Sequence, residues 1–275
     1  MFRNLNEEQL IVKCNNMRIN ILEMIYSAGS GHPGGSFSSV EILTVLYNKI
    51  MKHDPSNSEW KRRDRFVLSK GHICPALYAV LADCGYFDVS ELNELRKIGS
   101  SLQGHPYMHK TNGLDVSSGS LGQGLSVAVG MALGAKIDEE DFRVYCLMGD
   151  GETQEGQIWE AAMAAGHYKL DNLCGIVDFN KLQIDGNVER VMNINPYKEK
   201  WLAFNWNVIE VDGHDVSAIE KAYKFASECK GKPTLILAHT IKGKGVSFME
   251  NVAGWHGVAP NKEQYEAAMK ELESK

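Results

Sequence analysis

Asp150 stands between two glycines just past the apolar run 143–148, and Asn180 follows a second apolar run, 173–179. Thirty residues separate them, enough for one helix and a return to a neighbouring parallel strand, which would bring both side chains to one edge of a sheet. A carboxylate, an amide oxygen and a backbone carbonyl make an oxygen-only set suited to Mg2+ or Ca2+. Mg2+ held by so few protein ligands is normally completed by phosphate oxygens. Gly151 leaves room for a phosphate, and a helix starting near Glu155 would aim its free N–H groups at one. Either motif alone reads as an ordinary turn. Taken together they read as one site.

Histidine supplies a second kind of chemistry. Of the nine histidines, His32, His72, His105, His167 and His214 directly follow a glycine, and His256 precedes one. A missing side chain lets backbone approach a ligand, and imidazoles exchange protons near neutral pH. For a single histidine, a hydrogen-bonded loop residue is the commoner explanation. It is kept for His53, His109, His167 and His239, and His214 stays open. Other chemistries are excluded by context. No G-x-x-x-x-G-K-[ST] occurs, and the G-x-G-x-x-G at 29–34 follows a long helical pattern instead of a strand. His105 and His109 have helical spacing, yet Pro106 lies between them and no third zinc ligand is near.

The elements that must position these groups alternate along the chain. Helical periodicity marks 7–28, 39–51, 72–84, 121–137, 155–169, 216–228 and 261–273. Between them, 65–69, 143–148, 173–179, 207–211 and 234–240 are apolar runs without polar alternation, as strands buried on both faces would be. The pattern predicts an α/β fold, a parallel sheet sandwiched by helices, with ligands beyond the carboxyl ends of the strands. Lys70-Gly71-His72, Gly149-Asp150-Gly151 and Asn180 through Gly186 all follow apolar runs. Two long irregular segments, 183–200 and 242–260, are the size of functional loops.

Composition narrows the class. With 44% apolar residues, the 275-residue chain can bury a large core, and it is read as one domain over 1–275. A formal charge of -6, from 35 acidic and 29 basic side chains, argues against a nucleic-acid partner. The six cysteines show no C-x-x-C and several sit inside apolar runs, which points to a reducing compartment. No signal peptide or membrane-spanning stretch is evident, so a cytoplasmic protein without membrane association is expected.

The segments "MGDGETQEGQIWEA" and "VDFNKLQIDG" resemble the diphosphate-binding motif of thiamine diphosphate enzymes. "SGHPGGSFSSVEILTVLY", "DRFVLSKGH", "GHP", "SSGSLGQGLSVAVGMALGAK", "VDGHD" and "TIKGKGVSFMENVAGWHG" resemble transketolase in the same order. The resemblance covers nearly the whole chain and matches the N-terminal half of a full-length transketolase. It implies the thiamine diphosphate-binding fold and the N-terminal subunit of a split transketolase. The α-subunits of 2-oxo acid dehydrogenases share the G-D-G motif but lack the "SGHPGG" loop, and deoxyxylulose-phosphate synthases word that loop differently. A non-catalytic cofactor-binding relative would be expected to have lost the metal pair or the histidines, and both are intact.

The resemblance assigns roles residue by residue. Asp150, Asn180 and the Leu182 carbonyl would hold Mg2+, for which Ca2+ or Mn2+ could substitute. Gly151 and His72 would meet the diphosphate, and Gly119, Ser120 and Leu121 would line the middle of the cofactor. The family usually has proline where Ser120 stands. Leu182 and Ile184 would wall the thiazolium ring, and His32, His105 and His256 would surround the sugar, His256 also touching the cofactor. It further implies a C-terminal partner subunit that carries the catalytic glutamate, an α2β2 assembly, and sugar phosphate substrates of pentose phosphate or related carbohydrate metabolism.

Overall fold

Five parallel strands form the spine, in the spatial order β1-β2-β3-β7-β6. They are β1 (Arg65–Leu68), β2 (Val144–Gly149), β3 (Leu173–Phe179), β6 (Asn207–Asp212) and β7 (Thr234–His239). The computed structural model describes residues 5–275, so residues 1–4 of the expected domain lie outside the described residues. A two-stranded hairpin, β4 (Leu182–Gln183) and β5 (Gly186–Asn187), stands apart from the sheet.

Helices cover both faces, which is why the strands read as continuous apolar runs. Along β2, Val144, Cys146 and Met148 join a core with α5 (Gln123–Ile137) and α6 (Gly156–His167). Tyr145 and Leu147 point the other way, into a core with α1 (Glu7–Ala28), α3 (Val40–Val45), α4 (Cys74–Cys84) and α9 (Val216–Glu228). α10 (Lys262–Glu273) packs on α1. Helix ends follow local chemistry. Asn6 and Gln9 form a capping box at the start of α1, and Gly29 ends it at φ 61°, where a side chain would be strained. All six cysteines are free thiols. Among the described residues, no helix is long and apolar enough to cross a membrane.

Four features depart from the sequence pattern. A short helix α2 (Pro33–Ser38) forms in the glycine-rich stretch after α1, started by proline at its first position. The helix expected over 39–51 is split into α3 and a π-turn at 46–50. The segment 183–200 is structured, holding the hairpin and helices α7 (Val188–Val191) and α8 (Tyr197–Ala203). Lastly, β6 at one edge of the sheet is half-exposed, whereas β1 at the other edge is buried.

Candidate functional site

Register brings the chemistry together. β2 pairs with β3 so that Gly149 lies beside Asp178, and the chain then turns at Asp150 and at Asn180. Asp150 is buried: Oδ1 accepts from Gly151 N at 2.7 Å, and Oδ2 accepts from Lys181 N. Asn180 is also buried, and its Oδ1 accepts from Leu182 N at 3.0 Å. Burial, and next the nearby charge of Asp178, push the Asp150 carboxyl up to about 7. It is an acid short of a cation.

The residues present fit a metal ion. Lys242 Nζ already donates to the Leu182 carbonyl at 3.2 Å, so an ammonium stands where a cation would be received. Among the described residues, no group of three or more His, Cys, Asp or Glu side chains could hold a metal. An ion here would therefore rest on one carboxylate, one amide and one carbonyl, with phosphate oxygens completing its shell, the pattern of Mg2+. Gly151 leaves its backbone bare at this edge, where a Cβ would come within 3.0 Å of Gln183 Cβ.

A cavity of about 240 Å3 joins this oxygen set to the histidines, lined by Lys70, His72, Leu121, Asp150, Gly151, Asn180, Leu182, Ile184, Lys242 and His256 among others. Two larger clefts, of about 740 and 900 Å3, lie toward β6; the first also touches Asn180 and Leu182, but neither contains Asp150 or these histidines. The four imidazoles singled out in the sequence cluster as one group. His32 lies 5.1 Å from His72, 5.6 Å from His256 and 6.4 Å from His105 between ring centroids, and His72 stacks on His256 at 5.1 Å. His105 is seated by Gly119, where φ is 143° and a Cβ would come within 2.9 Å of the ring. Leu121 and Ile184 are exposed at 38% and 68%. Ser120 is exposed too.

The sequence pattern led us to expect imidazoles that titrate near neutrality. Burial, with repulsion from Arg96, His105 and Lys242, lowers His32 to about 4. Burial and then Lys242 lower His256 to about 3, and burial and Lys70 hold His72 well below its usual value. At neutral pH the cluster is uncharged. Lys242 Nζ donates to His256 Nδ1 at 2.9 Å, which leaves the ring proton on Nε2. His32 Nδ1 is buried with no hydrogen-bond partner.

The remaining histidines stand apart from the cluster, and not all are hydrogen-bonded loop residues: His167 ends α6 and His239 ends β7. His53 is buried against Tyr47 O and Tyr86 Oη, His239 pairs with Glu210, and His109 and His167 are exposed. The open case, His214, is structural: it bridges Glu41 at 3.0 Å and accepts from Ile241 N at 2.8 Å. Three residues of the site, Glu152, Asp178 and Lys242, carry no clear mark in the sequence. Glu152 is a buried carboxylate that accepts from Ser69 Oγ, Gly122 N and Gly149 N, tying three loops of the site. Lys70 and Asp178 form a buried ion pair beneath it, and Lys242 is 2% exposed. A lone charge inside the apolar run 173–179 is the only signal for Asp178.

Residues 8–273 match the family described as transketolase, thiamine diphosphate binding domain. The chain is similar to the 6-deoxy-6-sulfo-D-fructose transketolase subunit SqwG of a Clostridium species, at 46% identity over 98% of both chains. It is also similar to an apulose-4-phosphate transketolase subunit of Phocaeicola vulgatus, at 44% identity over 96% of this chain and 94% of that one. The crystal structure of Campylobacter jejuni transketolase superposes with a TM-score of 0.92 at 36% identity, over 98% of this chain and 43% of that chain. Against Rattus norvegicus transketolase the chain is 43% identical and spans 41% of its length.

Proposed function

Since the chain belongs to the transketolase family, as its thiamine diphosphate-binding domain, we propose that it is the N-terminal subunit of a two-chain transketolase. With Mg2+ and thiamine diphosphate it moves a two-carbon ketol unit from a ketose to an aldose. One observation carries this reading: a single cavity joins the oxygen set of Asp150, Asn180 and Leu182 to the histidine cluster. The metal end suits a diphosphate, and the imidazole end suits a sugar.

Bound thiamine diphosphate supplies the electron sink for breaking a C–C bond beside a ketone. This chain does the rest through position and proton transfer. Asp150, Asn180 and the Leu182 carbonyl hold the metal, while His72 and the Gly151 backbone meet the diphosphate. Gly119, Ser120 and Leu121 line the cofactor, and Leu182 and Ile184 give its ring apolar walls. Neutral His32 and His105 accept the donor hydroxyl proton and return it to the acceptor oxygen, while His256, its ring hydrogen held on Nε2 by Lys242, hydrogen-bonds the sugar. The sheet and its helices act as one domain, working in the cytoplasm.

The substrate is a ketose or ketose phosphate. Relatives named for a sulfosugar and for apulose 4-phosphate keep the choice wider than pentose phosphates. The test is to mix the purified chain with its C-terminal partner, cofactor and Mg2+, and to assay a panel of such donors. Ketol transfer from at least one is expected. Cofactor binding without transfer from any donor would favour a non-catalytic relative, and consumption of a 2-oxo acid instead would favour the other thiamine diphosphate classes.

A further inference from the structure

Strand β3 ends on a charge that the proposed chemistry does not use. Asp178 is 0% exposed, and four chain segments meet on it. Its Oδ2 accepts from Lys70 beyond β1, from Ser38 Oγ at 2.6 Å and Ser39 Oγ at 3.2 Å around α2, and from Asn180 Nδ2 at 3.1 Å. Its Oδ1 accepts from Thr240 beyond β7. A buried carboxylate persists only when its lone pairs are filled in this way.

The bond from Asn180 differs in kind from the others. Lysine and the hydroxyls can face a carboxylate in one sense only, as donors, or rotate to suit it. An amide has a donor end and an acceptor end of nearly the same shape, and it can present either. Here both ends are fixed by their neighbours. Nδ2 faces the Asp178 carboxylate, and Oδ1 faces Leu182 N–H at 3.0 Å. Turning the amide over would set its oxygen against a carboxylate oxygen and its NH2 against an N–H. Both contacts would become repulsive.

We propose that Asp178 is a positioning residue that locks the Asn180 amide with its oxygen, not its nitrogen, presented to the cation. This rests on reading Asn180 as a metal ligand. Groups behind metal ligands commonly set ligand orientation, and their loss costs roughly 10- to 100-fold in metal affinity. Because Asp178 in β3 and Asn180 just past its end lie two residues apart, the lock is built into the strand end and exists before any ion arrives.

A double-mutant cycle separates orientation from charge. Mg2+ affinity is measured by titration calorimetry in the presence of thiamine diphosphate and the partner chain. Asp178→Asn alone is expected to weaken Mg2+ roughly 10- to 100-fold. In an Asn180→Asp background the ligand has two equivalent oxygens and nothing to orient, and its neighbour at position 178 is a like charge. There Asp178→Asn should leave Mg2+ affinity unchanged or raise it. An equal loss in both backgrounds would mean that Asp178 acts only by balancing Lys70 or supporting the fold, and no loss in either would also overturn the proposal. Wild-type protein that binds cofactor with no dependence on Mg2+ would instead overturn the metal reading, and this inference with it. Should Asp178→Asn not fold, side-chain amide NMR of the wild type decides. One Asn180 Nδ2 proton protected from exchange, before and after Mg2+ is added, is expected. Two freely exchanging protons would refute the lock.

Discussion

The charge state of the site follows from burial and from the two lysines beneath it. Lys70 is balanced by Asp178, whereas burial and then the charge of Lys70 lower Lys242 to about 8. The imidazoles above them are desolvated and face cations, so they stay uncharged at pH 7. Removing one that works on the sugar should therefore lower turnover more than cofactor binding. For His32→Ala and His256→Ala we expect kcat to fall roughly a hundredfold to ten-thousandfold with little change in the cofactor concentration required. His72→Ala should show the opposite pattern in steady-state kinetics, and an exchange of the two phenotypes would show the roles to be misassigned. Asp150→Ala should keep the fold, since the side chain caps a loop and fills no core. Calorimetry should show its Mg2+-dependent cofactor affinity reduced by more than the roughly 10- to 100-fold typical of groups behind a metal ligand. Unchanged affinity would remove Asp150 from the metal site.

At the scale of elements, what was legible in the sequence is what local periodicity encodes. α1 and α9 begin and end where their patterns do, and each strand of the sheet appears as an apolar run. The strand ends told where Asp150, Asn180 and His72 would gather, because a parallel sheet fixes one edge for ligands. Contacts between distant segments were not legible. Ser38 meets Asp178 across 140 positions, and Ser69 meets Glu152 across 83, so no spacing rule could pair them. α2 was hidden by its glycines, and β6 misled because an apolar run does not say how fully the faces of a strand are covered. One such distant contact joins elements behind the site. Buried Arg18 of α1 pairs with Glu41 of α3 at 2.7 Å and donates to Lys244 O, and His214 completes the group. Burial alone would raise the Glu41 carboxyl, but Arg18 and His214 prevail and hold it below the ordinary value. A depressed carboxyl stabilises the fold above its unfolded pKa, and that contribution is lost as pH falls through the folded one. Arg18→Met leaves the carboxylate buried without its guanidinium, at an expected cost of about 3–5 kcal/mol at pH 7. The sign of the pH dependence then reverses for Glu41: protonation relieves the variant, so its deficit against wild type should shrink between pH 7 and pH 5 in denaturant melts. A deficit independent of pH would assign the loss to packing.

For the whole molecule, the question is what faces the open side of the cavity. The chain spans nearly the full length of two relatives named as subunits, and about two fifths of single-chain transketolases. Its carboxylates at the metal end are already committed: Asp150 accepts from two backbone N–H groups, and Glu152 from two more and a hydroxyl. Glu155 and Glu160, at the start of α6, sit on the same diphosphate side and are exposed. In the proposed reading, the aminopyrimidine ring needs an acid on the opposite side of the cofactor, so that glutamate comes from a second chain. Two exposed apolar side chains, Leu121 and Ile184, line the cavity that such a chain would face. Exposed apolar groups of this kind mark interaction surfaces. We expect an obligate partner of similar size, in a two-plus-two assembly with closed two-fold symmetry. The purified chain should be inactive alone, and mixing with the partner should produce ketol transfer together with a heterotetramer mass by light scattering. Full transketolase activity from the rigorously purified 275-residue chain would refute the need for a partner, and activity from a one-to-one complex would refute the two-plus-two assembly.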